Sequence, residues 1–139
     1  MTVELAWPWI IGLTLFTFFF GHFWYGPLFG KLWMRIHHGD KTFSKEEMAK
    51  MMEGLWKIMA TELIMTFITL MTLDFLVKLL PSFAFWHVAL LVWLGFVVPS
   101  STSVVLWGND EKRWMPVKIG VIAFHRLVIL MLSAYVFAL

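Results

Sequence analysis

Six polar side chains stand inside apolar surroundings where they could do chemistry: His22, Glu62, Ser100, Ser101, His125 and Arg126. A carboxylate, two imidazoles and a guanidinium could exchange protons, pair as ions or bind a small polar solute. The two histidines could also ligate haem or a metal. Polar groups in hydrocarbon are costly, so each marks a candidate site. Each also has a plain structural reading. Glu62 and Arg126 can lean toward their helix N-termini and snorkel to the headgroups, or pair and lock two helices together. Histidines bond across helices as serine and threonine do. His125 and Arg126 point ~100° apart on a helix and cannot both face the same neighbour.

The side chains are carried by four apolar stretches, residues 7–29, 58–80, 86–107 and 117–139. Each is long enough, at ~1.5 Å per helical residue, to cross a ~30 Å hydrocarbon core. Hydrophobic residues make up 60% of the chain and charged residues 14%, a balance that a water-soluble fold of this length could not hide. The expected fold is all-α: a single four-helix transmembrane domain over residues 1–139. Counted from the ends expected at the cytoplasm, His22, Glu62, Ser100 and His125 fall at a similar depth, roughly 6–12 Å. This shared polar layer is the candidate functional site.

Face counting sharpens the picture. Thr14, Thr17, Gly21 and Tyr25 share a stripe of the first helix suited to close packing, with His22 on its flank. Glu62, Thr66 and Thr69 share a stripe of the second, so Glu62 points into the bundle. Pro99 removes one backbone bond to Gly95, and the serines and threonine after it can re-satisfy freed groups. The break either bends the helix around a cavity or is a static kink.

Charge sets the expected orientation. The loop after the first helix carries Lys31, Arg35, Lys41, Lys45, Lys50 and Lys57, and the loop after the third carries Lys112, Arg113 and Lys118. The opposite side offers Lys78, spaced to pair with Asp74 one turn before it. By the positive-inside rule both basic loops face the cytoplasm and both termini lie outside, as in a bacterial inner membrane. Trp7, Trp9 and Trp86 then fall at the outer interface, and Trp33, Trp56, Trp107 and Trp114 at the inner one. Trp24 and Trp93 lie deeper, between helices. The N-terminus lacks the basic region and cleavage site of a signal peptide, so the first helix is expected to be retained.

Residues 44–56 form the expected cytoplasmic amphipathic helix, running into the second spanning helix. Ser44 and Glu47 make a capping box, Phe43 and Met48 a hydrophobic staple. Glu46 with Lys50, and Glu53 with Lys57, are spaced to pair. Met48, Met51, Met52, Leu55 and Met59 line one face.

Several chemistries drop out. There is no cysteine, which removes thiol catalysis and iron–sulfur ligation. A net charge of +2 gives no footing for nucleic acid. No nucleophile elbow, phosphate loop or His-x-x-x-His pair is present, so no catalytic residue, no metal ligand set and no cofactor is assigned. The ten methionines, with His37 and His38 near the methionine stripe, fit copper(I) chemistry in type, although such stripes are commonly packing or lipid-facing filler.

Residues 21–34 read GHFWYGPLFGKLWM. This segment resembles the hallmark of a family of small four-helix membrane proteins, domain of unknown function family 1761. Gly21, Trp24, Tyr25, Pro27, Leu28, Gly30, Lys31 and Trp33 match its pattern. Leu94, Gly95, Phe96 and Pro99 resemble its third-helix segment, and His125 its fourth-helix histidine; His22, Glu62 and Arg126 lie outside the pattern. The resemblance covers essentially the whole length. It implies the topology and no reaction, since the family has no established activity. The motif also explains itself physically: Trp24, Tyr25 and Trp33 anchor at the inner interface, Pro27 stops the helix, Gly30 allows a turn and Lys31 faces lipid phosphate.

The expected function is that of a structural or accessory subunit of a membrane assembly or homo-oligomer. A small-solute or proton carrier using the polar layer is the alternative, and haem or metal binding through the membrane histidines the second. The expected partners are the lipid bilayer and either a second copy or other membrane subunits.

Overall fold

The computed structural model describes residues 3–139, whose regular elements are all helices, with no strand among them. Met1 and Thr2, with the reading of a retained N-terminus that rests partly on them, lie outside the described residues. Four helices are long and apolar enough to cross a membrane: α1 (Trp7–Leu28), α4 (Leu55–Leu79), α5 (Phe85–Leu106) and α6 (Met115–Phe137). Two short helices, α2 (Gly30–His38) and α3 (Lys45–Met52), fill the first long loop.

Proline shapes both odd-numbered spans. Pro27 cannot donate to the carbonyl of Phe23, and the last turn of α1, Trp24–Leu28, widens into a π turn closed by Phe29 N donating to Trp24 O at 2.9 Å. The expectation that Pro27 stops the helix is therefore too strong. The chain tightens again and resumes at once as α2, an element the sequence reading missed. Gly30 is required there for closeness: a Cβ would sit 3.2 Å from the carbonyl oxygen of Tyr25. In α5 the same defect recurs ahead of Pro99, as the π turn Trp93–Val97. Ser100 donates its hydroxyl to Phe96 O, one turn back on its own helix.

The amphipathic segment is shorter than expected. The Ser44–Glu47 capping box forms, with Ser44 N donating to Glu47 Oε2 at 2.8 Å and Glu47 N to Ser44 Oγ at 3.2 Å. The helix then ends at Met52. Gly54 adopts φ +75°, a left-handed conformation that glycine takes without cost, and α4 starts afresh at Leu55. The break explains why Glu53 and Lys57 do not pair: they no longer share a helix. Glu46 and Lys50, both exposed, form no ion pair either. The ion pairs of this end are Arg35–Asp40 (3.5 Å), Arg113–Glu111 (2.7 Å) and the half-sequestered Lys118–Asp110 (2.7 Å).

α6 is the hub. It packs against α5 along its length, against α4, and more lightly against α1, while α1 packs mainly on α4. Trp93 ties α5 to α6 by donating Nε1–H to Ala123 O at 2.7 Å. The apolar core gathers in the half of the bundle that holds the chain termini: Ile10 and Leu13 of α1, Leu70, Leu73 and Val77 of α4, Val88 and Ala89 of α5, and Ile129, Leu130, Ala134 and Phe137 of α6. Ala89 and Ala134 are fully buried; small residues let apolar helices approach closely, which is how helices associate in lipid.

That end carries a polar clasp as well. Asp74 is fully buried, accepts a hydrogen bond from Ala6 N at 2.8 Å, and stands 2.9 Å from Lys78 Nζ. Lys78 in turn donates to Glu4 O at 2.6 Å. Asp74 thus satisfies a backbone N–H at the start of α1, an orphan group of a helix N-terminus.

Candidate functional site

The opposite half of the bundle is hollow. Between α1, α4 and α6 lies a cavity of about 600 Å³, lined by Thr17, Gly21, His22 and Tyr25 of α1, Met59, Glu62 and Thr66 of α4, and Ile122, His125 and Arg126 of α6, with Trp33 of α2 beside it. Four of the six polar residues singled out from sequence meet here: His22, Glu62, His125 and Arg126. Ser100 and Ser101 do not. They sit on α5, which does not border the cavity, and Ser100 spends its hydroxyl on its own helix. The bend at Pro99 therefore shapes α5 and not the site. A shared depth fixes only the height of a residue along the bundle, and α5 is the helix on the far side of α6.

Because α4 begins at Leu55, Glu62 lies seven residues into the helix, ~10 Å at helical rise and within the expected layer. Arg126 Nη2 meets its Oε1 at 2.7 Å, joining α6 to α4 across the cavity wall. The two side chains are 31% and 55% exposed, so the pair faces the open space instead of the packed seam.

His125 points the other way, toward α1, as the ~100° offset from Arg126 requires. It is 5% exposed and enclosed by rings: Phe20 stacks on it at 5.6 Å between centroids, Trp24 lies at 5.5 Å and Tyr25 at 5.3 Å. Gly21 presents bare backbone to it; a Cβ there would lie 3.8 Å from Nε2. Neither ring nitrogen of His125 has a hydrogen-bond partner, nor do the buried Thr17 Oγ1 and Trp24 Nε1 close by. Unpartnered buried polar atoms are uncommon, and a cluster of them beside a cavity is a property of the site.

The glycine, tryptophan and tyrosine of the 21–34 motif thus build a wall around one histidine. Trp24 is buried against Phe29 (4.9 Å) and Phe124 (5.7 Å), and Tyr25 rests on Trp33 (4.7 Å). Lys31 is exposed at the start of α2. Lys118, missed as a contributor, lies 5.8 Å from the Trp33 ring centroid while paired to Asp110.

Among the described residues no three His, Cys, Asp or Glu side chains gather as metal ligands. His37 bonds Trp33 O at 2.9 Å, and His38 packs edge-on against Phe43 at 5.0 Å. Both are engaged with aromatic neighbours of their own loop.

Neither the curated proteins nor the solved structures contain a match to this chain. Residues 8–138 match the family described as "Protein of unknown function (DUF1761)", in agreement with the resemblance of the 21–34 segment, and the chain, with its four apolar membrane-length helices, belongs to that family.

Proposed function

We propose that this integral membrane protein takes up a small solute in the cavity between α1, α4 and α6. The observation that carries the reading is the contrast between the two halves of the bundle. One is sealed by an apolar core, and the other is hollow around Glu62, Arg126 and the unpartnered His125. A cavity of this size between membrane-length helices is what a carrier or an intramembrane binding protein presents. In this reading the hollow end faces the cytoplasm, both termini lie outside, and α3 lies on the cytoplasmic membrane surface with its methionines toward lipid. Nine basic residues on the long-loop side against Lys78 on the other support that frame.

The accessory-subunit reading keeps one specific support. α5 is the least enclosed span, and Leu91, Leu94, Phe96 and Val104 leave much of its surface uncovered. Four helices make a thin pathway, so a second copy docked on α5 would serve the carrier reading too.

Adjacent residues test the cavity. Phe18 lines it, and Phe19 is 67% exposed on the outer face of α1 at the same depth. The chain has no cysteine of its own, so single-cysteine labelling is clean. In lipid bilayers, Phe18→Cys is expected to react with a small water-soluble thiol reagent and Phe19→Cys to resist it. Inertness at both positions overturns the proposal.

A further inference from the structure

A second hollow, of about 340 Å³, is lined by Ile11, Thr14, Leu15, Leu63, Ile64 and Phe67. It lies on the same α1–α4 seam as the cavity. The α1 lining runs 11, 14, 15 and then 17, 18, 21, 22, 25; the α4 lining runs 67, 64, 63 and then 66, 62, 59, 58, 55. The two helices are antiparallel, so the sets follow each other along α1 and interleave on α4, where Thr66 of the cavity lies between Ile64 and Phe67 of the groove. The seam spans the length from Leu55 to Phe67, ~18 Å at helical rise.

The two parts differ in chemistry. The groove is apolar: its single hydroxyl, Thr14 Oγ1, is spent on Ile10 O at 2.7 Å. The cavity carries polar groups in a largely apolar lining and is already neutral in charge, since Glu62 and Arg126 compensate each other at 2.7 Å. A charged group entering it would have to break that pair or stay uncompensated in a low-dielectric setting, and either is costly. What the cavity has in surplus is hydrogen-bonding capacity without charge. His125, nine-tenths buried and more, carries two ring nitrogens and Thr17 a hydroxyl; none of these atoms is partnered, and each is covered by neighbouring side chains, so a ligand reaches them only as a neighbour moves aside.

Resting on the reading of the cavity as a binding site, we infer that cavity and groove form one elongated site for a neutral, single-tailed amphiphile. The uncharged oxygen head, a hydroxyl or carbonyl, bonds His125 and Thr17. The apolar tail lies in the α1–α4 groove against Leu15, Ile64 and Phe67. Such a ligand enters from the bilayer, where the groove opens, and reaches the polar end by sliding along the seam.

The test uses the full chain in phosphatidylcholine nanodiscs and a dodecanol analogue bearing a photoactivatable diazirine near its tail end. Cross-links are expected to concentrate on residues 11–15 and 63–67. Excess dodecanol should displace the probe by mass action and reduce them about five- to tenfold, and dodecyl phosphate and dodecyltrimethylammonium should leave them unchanged. The Thr17→Val/His125→Phe variant should lose the label to a similar extent. Ile64→Trp, at a surface position whose change spares the core, should block it by filling the groove. Equal cross-linking on the outer face of α5, or equal competition by all three heads, reduces the groove to a surface wetted by ordinary lipid and overturns the inference. Competition by a charged head alone overturns it too, while leaving the cavity reading to stand on the reactivity of Phe18→Cys. Cross-linking that survives Ile64→Trp unchanged places the tail elsewhere and refutes the inference.

Discussion

Arg126 Nη2 lies 2.7 Å from Glu62 Oε1, a contact between residues 64 positions apart that joins the hub helix α6 to α4. It is half open to the cavity, with Glu62 more exposed than Arg126. Its worth should therefore fall between that of a surface pair, ~0–1 kcal/mol, and that of a buried pair broken on one side, ~3–5 kcal/mol. Glu62→Gln and Arg126→Met are each expected to lower stability by about 1–2 kcal/mol, and the double variant to recover part of the loss. Thermal unfolding of the four proteins in the same lipid, read as a double-mutant cycle, checks this. Additive effects near zero would mean that each side chain is independently solvated.

Asp74 should matter more to stability than its position near a helix end suggests. It is fully buried and joins Ala6 N, Lys78 and, through Lys78, Glu4 O. Asp74→Ala leaves a buried N–H and an ammonium without their acceptor, at ~2–3 kcal/mol. Asp74→Asn keeps an oxygen for Ala6 N and should cost less. Hydrogen exchange at the start of α1 should accelerate in the alanine variant, and unchanged protection there would refute the clasp.

Gly54 separates α3 from α4 at φ +75°. Gly54→Ala forces a side chain into the left-handed region, at a cost of ~1 kcal/mol. Gly12, with open space around a built Cβ and ordinary helical geometry, should accept alanine and gain slightly in helix propensity. Opposite signs of the change in melting temperature are expected for the two variants.

Orientation is open to direct labelling. Asn109 lies in the loop between α5 and α6, and Ser82 in the loop between α4 and α5, at opposite ends of the bundle. In intact cells an impermeant thiol reagent is expected to label Ser82→Cys from outside and to spare Asn109→Cys until the membrane is opened. The reverse pattern would invert the frame and place the cavity mouth outside.

The sequence by itself determined the number of membrane-length helices, their limits within a few residues, the capping box at Ser44, the face of α1 and, on α4, Glu62 and Thr66 but not Thr69, which is exposed and bonds Met65 O of its own helix. These follow from local rules: run length against bilayer thickness, side-chain oxygens that cap an adjacent turn, and the helical period. It also foresaw that His125 and Arg126 must address different neighbours, because a 100° step is a property of any α-helix. What it could not supply was which helix stands next to which. Ser100 and His125 share a depth, yet α5 lies behind α6, so the serines never reach the layer they were expected to join. Glu62 and Arg126 meet because α6 touches both α1 and α4, and that choice rests on packing between surfaces, the shared core of Ile10 and Leu13, Leu70 and Leu73, and Ile129 and Leu130 among them. The hollow between three helices arises in the same way and becomes defined only when non-neighbouring segments press together. The break at Gly54 and the π turns at Pro27 and ahead of Pro99 are local adjustments of the backbone at a glycine and two prolines, which the helical period alone does not spell out.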